Sequence, residues 1–188
     1  MKVVLGVSNR HVHLTKEVFE KLFGENAHLE VRNNLGQPGQ FASTSTVDIK
    51  VGDNVIEHVR IIGPLRPYNQ IEISQTDANY LGVNPPRRQS GDLDGSLPIT
   101  IIGPVGSVDV ESGLILAERH IHMEPKMAHN IGLEDKELVH VYRDGEHLFD
   151  AAIKYSDPGS LELHIDTDEA NQYTLKTKDI LEFDICSK

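Results

Sequence analysis

Short runs rich in β-branched and other apolar residues recur along the chain, separated by Gly, Pro, Asn and Asp. The runs are KVVLGV (2–7), TVDIKV (46–51), VIEHVRIIG (55–63), QIEIS (70–74), PITIIG (98–103), LILAER (114–119), ELVHVYR (137–143), LFDAAIKYS (148–156), LELHI (161–165) and ILEFDI (180–185). Such runs read as strands, and NNLGQPGQ, VGDN, GPLRP, GDLDG, RDG and SDPG between them read as turns. This punctuation predicts a mainly β chain of barrel or sandwich type. Only short helices interrupt it. LTKEVFEKLFG offers Thr15 as N-cap, Val18, Phe19, Leu22 and Phe23 as an apolar stripe, and Gly24 as the stop. EPKMAHNIG, with Pro125 early and Gly132 at its end, is a second helix. TDANYLG (76–82) and TDEANQY (167–173) predict helical turns.

An internal repeat organises these elements. RHVHL at 10–14 recurs as RHIHM at 119–123, an offset of 109, and each copy precedes a short helix ending in glycine. IEIS with TDAN (71–79) is echoed by LHID with DEAN (163–171), an offset of 92, which sets Glu72 against His164. The difference of 17 residues places an insertion in the first copy, and NNLGQPGQFASTST (33–46) reads as that inserted loop, a candidate lid or ligand clamp.

The repeat changes the weight of the histidines. In a strand, residues i and i+2 share a face, with Cα atoms roughly 6.5–7 Å apart. Two imidazoles so placed reach one ion at about 2.0–2.1 Å. A single HxH is weak evidence; a duplicated one, backed by a further ligand type at matching places, points to metal. His11, His13, His120 and His122, with Glu72 and His164, make six candidate ligands, enough for two ions. A nitrogen-rich set with one carboxylate and no thiolate suits zinc first, with cobalt, nickel or iron as alternatives. Of the ten histidines, His28, His58, His129, His140 and His147 have no repeat partner and read as structural.

Composition narrows the function further. Eighteen Lys and Arg against 29 Asp and Glu give a formal charge of −11, which argues against non-specific nucleic-acid binding. A phosphorylated ligand would need a local cluster of cations. The one cysteine, Cys186, forms no internal disulfide and reads as an inert tail thiol. The start, MKVVLGVSNR, is too short in apolar residues for a signal peptide or membrane span, so a cytoplasmic protein is expected.

RHVHL, GPLRPYNQIEIS, SGDLDGS, IIGPVGS and LILAERHIHM, in this order, resemble the PduL-type phosphate acyltransferases (phosphotransacylases, phosphate propanoyltransferases) over essentially the whole chain. The resemblance implies two interwoven small β-barrels capped by short helices, residues 1–9 plus 118–188 forming one and 10–117 the other. It implies an enzyme that converts acyl-CoA and phosphate to acyl phosphate and CoA, with two zinc ions per chain. His120, His122, His164 and Glu72 would enclose one ion and His11 and His13 the other, open, one. Arg66 would hold phosphate. Transfer would be direct, without an acyl-enzyme, since phosphate is itself a nucleophile at neutral pH. Arg87 and Arg88 are candidate CoA-phosphate contacts; for Arg10 and Arg119, beside the HxH pairs, the alternatives are CoA contact and a salt bridge supporting the ligands. Only seven residues precede Ser8, so no microcompartment-targeting extension is read, and a free cytoplasmic enzyme, acting on acetyl- rather than propanoyl-CoA, is the expectation, as a homodimer. Two rival readings are a cupin-like metalloenzyme, whose Glu falls a few residues after HxH rather than 59 as here, and a non-catalytic zinc-stabilised barrel.

Overall fold

A computed structural model describes residues 1–185; Cys186, the tail thiol, lies outside the described residues. In chain order the elements are β1 (Lys2–Ser8), β2 (His11–His13), α1 (Lys16–Phe23), β3 (Val31–Asn34), β4 (Phe41–Val51), β5 (Asn54–Gly63), β6 (Gln70–Ile73), α2 (Gln75–Leu81), β7 (Arg87–Arg88), β8 (Leu97–Ile102) and β9 (Ser107–Ala117). There follow β10 (His120–Met123), α3 (Pro125–Asn130), β11 (Leu138–Arg143), β12 (Glu146–Tyr155), β13 (Glu162–Asp166), α4 (Thr167–Gln172) and β14 (Ile180–Ile185). Among the described residues no helix is long and apolar enough to cross a membrane.

The chain divides into two compact units. Met1–Ser8, Gly36–Pro38 and the described residues from Glu118 onward form the first, Asn9–Leu35 and Gly39–Ala117 the second. In the first, β1-β13-β10-β12-β11-β14 close a six-stranded barrel. In the second, β4-β5-β2-β6-β9 are closed by β8, which pairs with both β4 and β9, while β3 and β7 add to the ring. The pairings match one for one. β10 runs antiparallel to β13 and parallel to β12, as β2 does to β6 and β5. β1 lies parallel to β13 and antiparallel to β14, as β9 does to β6 and β8. The strand that precedes each histidine strand in sequence therefore belongs to the other unit's barrel.

The sequence repeat is a repeat of barrels because the same alternation recurs in each. Val12, Ile61, Ile71 and Leu114 meet in the second unit's core, and Leu5, Ile121, Ile153 and Leu163 in the first unit's, all with no exposed surface. Caps fix the helices. The Thr15 hydroxyl accepts from the Val18 N–H, α1 buries Val18, Phe19 and Leu22, and Gly24 ends it at φ 100°, where a side chain would be strained. α2 and α4 start with the same capping box, Ser74 with Asp77 and Asp166 with Glu169. The segment 33–46, read from sequence as an inserted loop, is largely a hairpin: β3 ends at Asn34 and β4 begins at Phe41. Gly and Gln in the short connection masked the strand on either side of it. β9 also begins seven residues earlier than the apolar run LILAER suggests.

Candidate metal centres

In the second unit, β2 and β6 pair so that His11 faces Glu72 and His13 faces Gln70. Their neighbours Val12 and Ile71 point into the core, so the strand period of two carries the four polar side chains to the opposite face. His11 Nδ1 lies 2.9 Å from the Asn9 carbonyl and His13 Nδ1 3.3 Å from that of Ile62. A carbonyl only accepts, so each Nδ1 carries the proton and each Nε2 keeps its lone pair. His11 Nε2 is 3.5 Å from Glu72 Oε2, and one ligand atom from each of His11, His13 and Glu72 lies within 4.8 Å of the others. Gln70, wholly buried, orients the carboxylate. Its amide nitrogen donates to Glu72 Oε1 and to Ser90 Oγ, while its oxygen accepts from the Gly91 N–H at 2.7 Å.

Arg66 belongs to the same unit. Its backbone N–H bonds the Leu14 carbonyl at 2.8 Å, just past His13. Its guanidinium donates to the Tyr68 hydroxyl at 2.8 Å and the Gln40 side-chain oxygen at 3.3 Å, and its charge is felt at both histidines. Burial, then the His11 and Arg66 charges, push His13 down to about 3. Burial also opposes charging His11, but the Glu72 carboxylate outweighs it and raises His11 above its usual value. His13 is thus neutral at any ordinary pH.

Acid stability of the metal-free protein follows from this pair. Between pH 6.5 and about 3 the unfolded chain carries a proton on His13 that the folded chain does not, so stability falls as pH drops through that window, by at most about 5 kcal/mol at 1.36 kcal/mol per pH unit. His11 acts oppositely: its contribution is complete below 6.5 and is lost as pH rises through its raised value. Urea unfolding of chelator-treated protein from pH 4 to 8 is expected to show the acid limb, and His13→Gln to flatten it. An unchanged limb in that variant would assign it elsewhere.

The first unit repeats the arrangement. β10 and β13 pair His120 with His164 and His122 with Glu162, while Ile121 and Leu163 face the core. His120 Nδ1 lies 2.8 Å from the Glu118 carbonyl, the counterpart of His11 and Asn9. His120 Nε2 and His122 Nε2 face each other at 3.1 Å, close to the roughly 3.3 Å edge of a tetrahedron with metal–nitrogen bonds of about 2.0–2.1 Å. The His164 ring stands 5.3 Å from that of His120 and 4.8 Å from that of His122, and the three offer nitrogens within 4.8 Å of one another. His164 Nε2 also lies 3.1 Å from Glu162 Oε2. That contact, stronger than the opposing effect of burial, holds the Glu162 carboxyl below its usual value. Gln37 donates to Glu162 at 3.2 Å and to Ser160 Oγ at 2.9 Å. Gly6 pairs with His164 across β1 and β13, and a Cβ there would stand 2.9 Å from the imidazole Cδ2. The backbone approaches the ring because glycine leaves room.

The arginine before each HxH is tied to the helix after the third-ligand strand. Arg10 Nε and Nη2 meet the two Asp77 oxygens at 3.0 and 2.9 Å, and Arg119 Nε meets Glu169 at 3.0 Å. Both acids are the buried capping-box residues of their helices. Arg87 and Arg88 stand on the two-residue β7, where Arg87 donates to the Ala117 carbonyl and Arg88 to those of Asp94 and Arg87. The structure groups Glu72 with His11 and His13, whereas the resemblance shares it with the other three histidines. Gln70, Glu162, Asp77 and Glu169 escaped the sequence reading, although the offset of 92 aligns Gln70 with Glu162 and Asp77 with Glu169 as it aligns Glu72 with His164.

Comparison with known proteins agrees over nearly the whole chain. The family model described as phosphate propanoyltransferase matches residues 4–176. A phosphate propanoyltransferase of Thermotoga maritima is 49% identical over 183 residues, 95% of this chain and 87% of the relative. Those of Rhodopseudomonas palustris and Citrobacter freundii are 43% and 41% identical, over 100% and 90% of this chain and 83% and 82% of theirs. The cupin-like and non-catalytic readings give way to this match: the protein is an acyltransferase enzyme, and the chain belongs to the phosphate propanoyltransferase family.

Proposed function

We propose that the chain exchanges the acyl group of a short acyl-CoA, propanoyl-CoA included, with inorganic phosphate, using two zinc ions per chain. His120, His122 and His164 hold one ion; His11 and His13 hold the other, with Glu72, whose carboxylate lies beside His11, as its acidic ligand. The observation that carries this reading is the repeated trio, in which the first histidine of each pair turns Nδ1 to a carbonyl and leaves Nε2 able to ligate.

The reaction joins a phosphate oxygen to the thioester carbonyl carbon and breaks the C–S bond, releasing acyl phosphate and CoA thiolate. Zinc, when bound, supplies Lewis-acid stabilisation of the oxyanion or of the departing thiolate. Arg66 binds the phosphate dianion. Tyr68 and Gln40 hold its guanidinium, a planar fork that can grip two phosphate oxygens and fix the approach of a third. No side-chain nucleophile is needed, because phosphate is dianionic near neutrality. Arg87, exposed, and Arg88, half-buried, on β7 remain the proposed contacts for CoA phosphates. The chain is proposed to work in the cytoplasm as a homodimer.

Incubation with propanoyl-CoA or acetyl-CoA and phosphate, with CoA followed by a thiol reagent, tests the reading. CoA release should require phosphate and stop on chelation; release without phosphate would contradict it. One methylene is worth about 0.8 kcal/mol of burial, which by itself favours propanoyl-CoA by roughly fourfold at most, so a propanoyl preference well beyond that would overturn the acetyl expectation. Gly6→Ala should press on His164 and weaken the ion held there by about 10–100-fold, in line with changes to residues that support metal ligands. Competition with a chromophoric chelator measures this, and an unchanged affinity would mean the ring does not need that space.

A further inference from the structure

A second kind of histidine cluster lies on the first unit's barrel, apart from the two HxH pairs. β11 and β12 set His140 opposite Asp150, and their core-facing neighbours Val139, Val141, Phe149 and Ala151 are buried. By strict alternation His147 would share the face of Phe149, away from Asp150. It does not, because a β-bulge after Val141 leaves Leu148 unpaired and brings His147 opposite Tyr142. The extra residue turns His147 onto the outer face, a known use of bulges. There His140 Nδ1 lies 2.6 Å and His147 Nε2 2.9 Å from the same Asp150 oxygen, and the two rings stand 5.0 Å apart. The three side chains are 35%, 47% and 41% exposed, open to a solvent ion. On the other side of β11, β14 sets Asp184 opposite His140 and Glu182 opposite Tyr142, adding negative charge along that face.

We propose that His140, His147 and Asp150 form a further binding site for a divalent late transition cation of the zinc, nickel or copper class. Two imidazole nitrogens and one carboxylate oxygen suit those ions. From 2.6 and 2.9 Å the two nitrogen–oxygen contacts need to open by less than about 1 Å to reach the roughly 3.3 Å edges set by bonds of about 2.0–2.1 Å. Each neutral imidazole then carries its proton on its other ring nitrogen, His140 on Nε2 and His147 on Nδ1, so the ion takes the place of the two N–H contacts to Asp150 with no net proton lost, and water completes its coordination. The cluster is not a by-product of the repeat: 92 residues earlier stand Asp48, Val55 and His58, where the His58 N–H instead bonds the Asp48 carboxylate. It stands whether or not the catalytic reading holds.

The test is calorimetric titration with Zn2+ of the full-length protein, first loaded with zinc and dialysed. Wild type should take up one further ion per chain, weaker than those retained through dialysis. His140→Ala and His147→Ala should each abolish that uptake without changing the retained zinc, and Asp150→Asn should weaken it. Sub-stoichiometric Ni2+ should broaden the NMR signals of Tyr142, whose ring is 5.5 Å from His147, before those of other tyrosines. No additional uptake by wild type, or equal uptake by the two histidine variants with their melting curves unchanged, would overturn the proposal and leave a hydrogen-bonded cluster only.

Discussion

Replacing His120 with alanine is expected to strip the ion from the His120, His122 and His164 group and to reduce turnover by at least ~100-fold. His120 is buried, its Nδ1 is fixed by the Glu118 carbonyl, and its Nε2 lies 3.1 Å from that of His122. Removing it leaves two nitrogens, too few for a stable zinc site. Metal bound only by the folded state is also folding free energy. An ion present at about 100 times its Kd stabilises by about 2.7 kcal/mol, which for a chain of this length shifts Tm by roughly 5–11 °C. Chelator-treated wild type should melt close to chelator-treated variant, since the main loss is the ion's. His129→Ala, an exposed residue outside the group, should change neither metal content nor rate. Full retention of zinc by His120→Ala would remove His120 from the ligand set.

Arg66→Ala should behave in the opposite way, keeping both metals and losing phosphate. A guanidinium held by Tyr68 and Gln40 and free to grip two oxygens contributes charge-assisted bonds worth about 2–4 kcal/mol together. That corresponds to a fall in kcat/KM for phosphate of about 30- to 900-fold, with KM for acyl-CoA little changed. Arg66→Lys should recover only part, because an ammonium is a point charge without the fork. Removing the Arg66 charge should also let the metal-free His13 titrate higher than about 3, since Arg66 is one of the groups that depress it. Histidine NMR titration of the metal-free variant reads this directly. Unchanged phosphate kinetics would show that Arg66 does another job.

Much of this architecture is legible in the sequence because it is written twice. The offsets of 109 and 92 between copies locate the histidine strands, the third-ligand strands and the helices after them; α1 falls where its cap and apolar stripe place it, α3 begins at Pro125, and α2 and α4 fall on the helical turns read at 76–82 and 167–173. Long-range pairing is less legible. Nothing local in KVVLGV says that β1 closes the barrel made by residues more than 100 positions later; from sequence only the family resemblance implies it, and the register of Gly6 on His164 shows the pairing. The support around the candidate ligands was hidden for a different reason. Gln70 reads as an ordinary polar strand residue, and only its burial beside Glu72 shows that it aims the carboxylate. His147 reads from sequence only as a structural histidine without a repeat partner; strict alternation would set it on the face of Phe149, and a single bulged residue turns it outward beside Asp150.

The most direct test of the central claim is a metal count by atomic emission on protein purified without added ions and dialysed, beside His120→Ala and His13→Ala treated identically. Two zinc ions per wild-type chain, with one fewer in each variant, is the predicted result. A wild-type chain that retains no metal, or variants that retain as much as wild type, would contradict it.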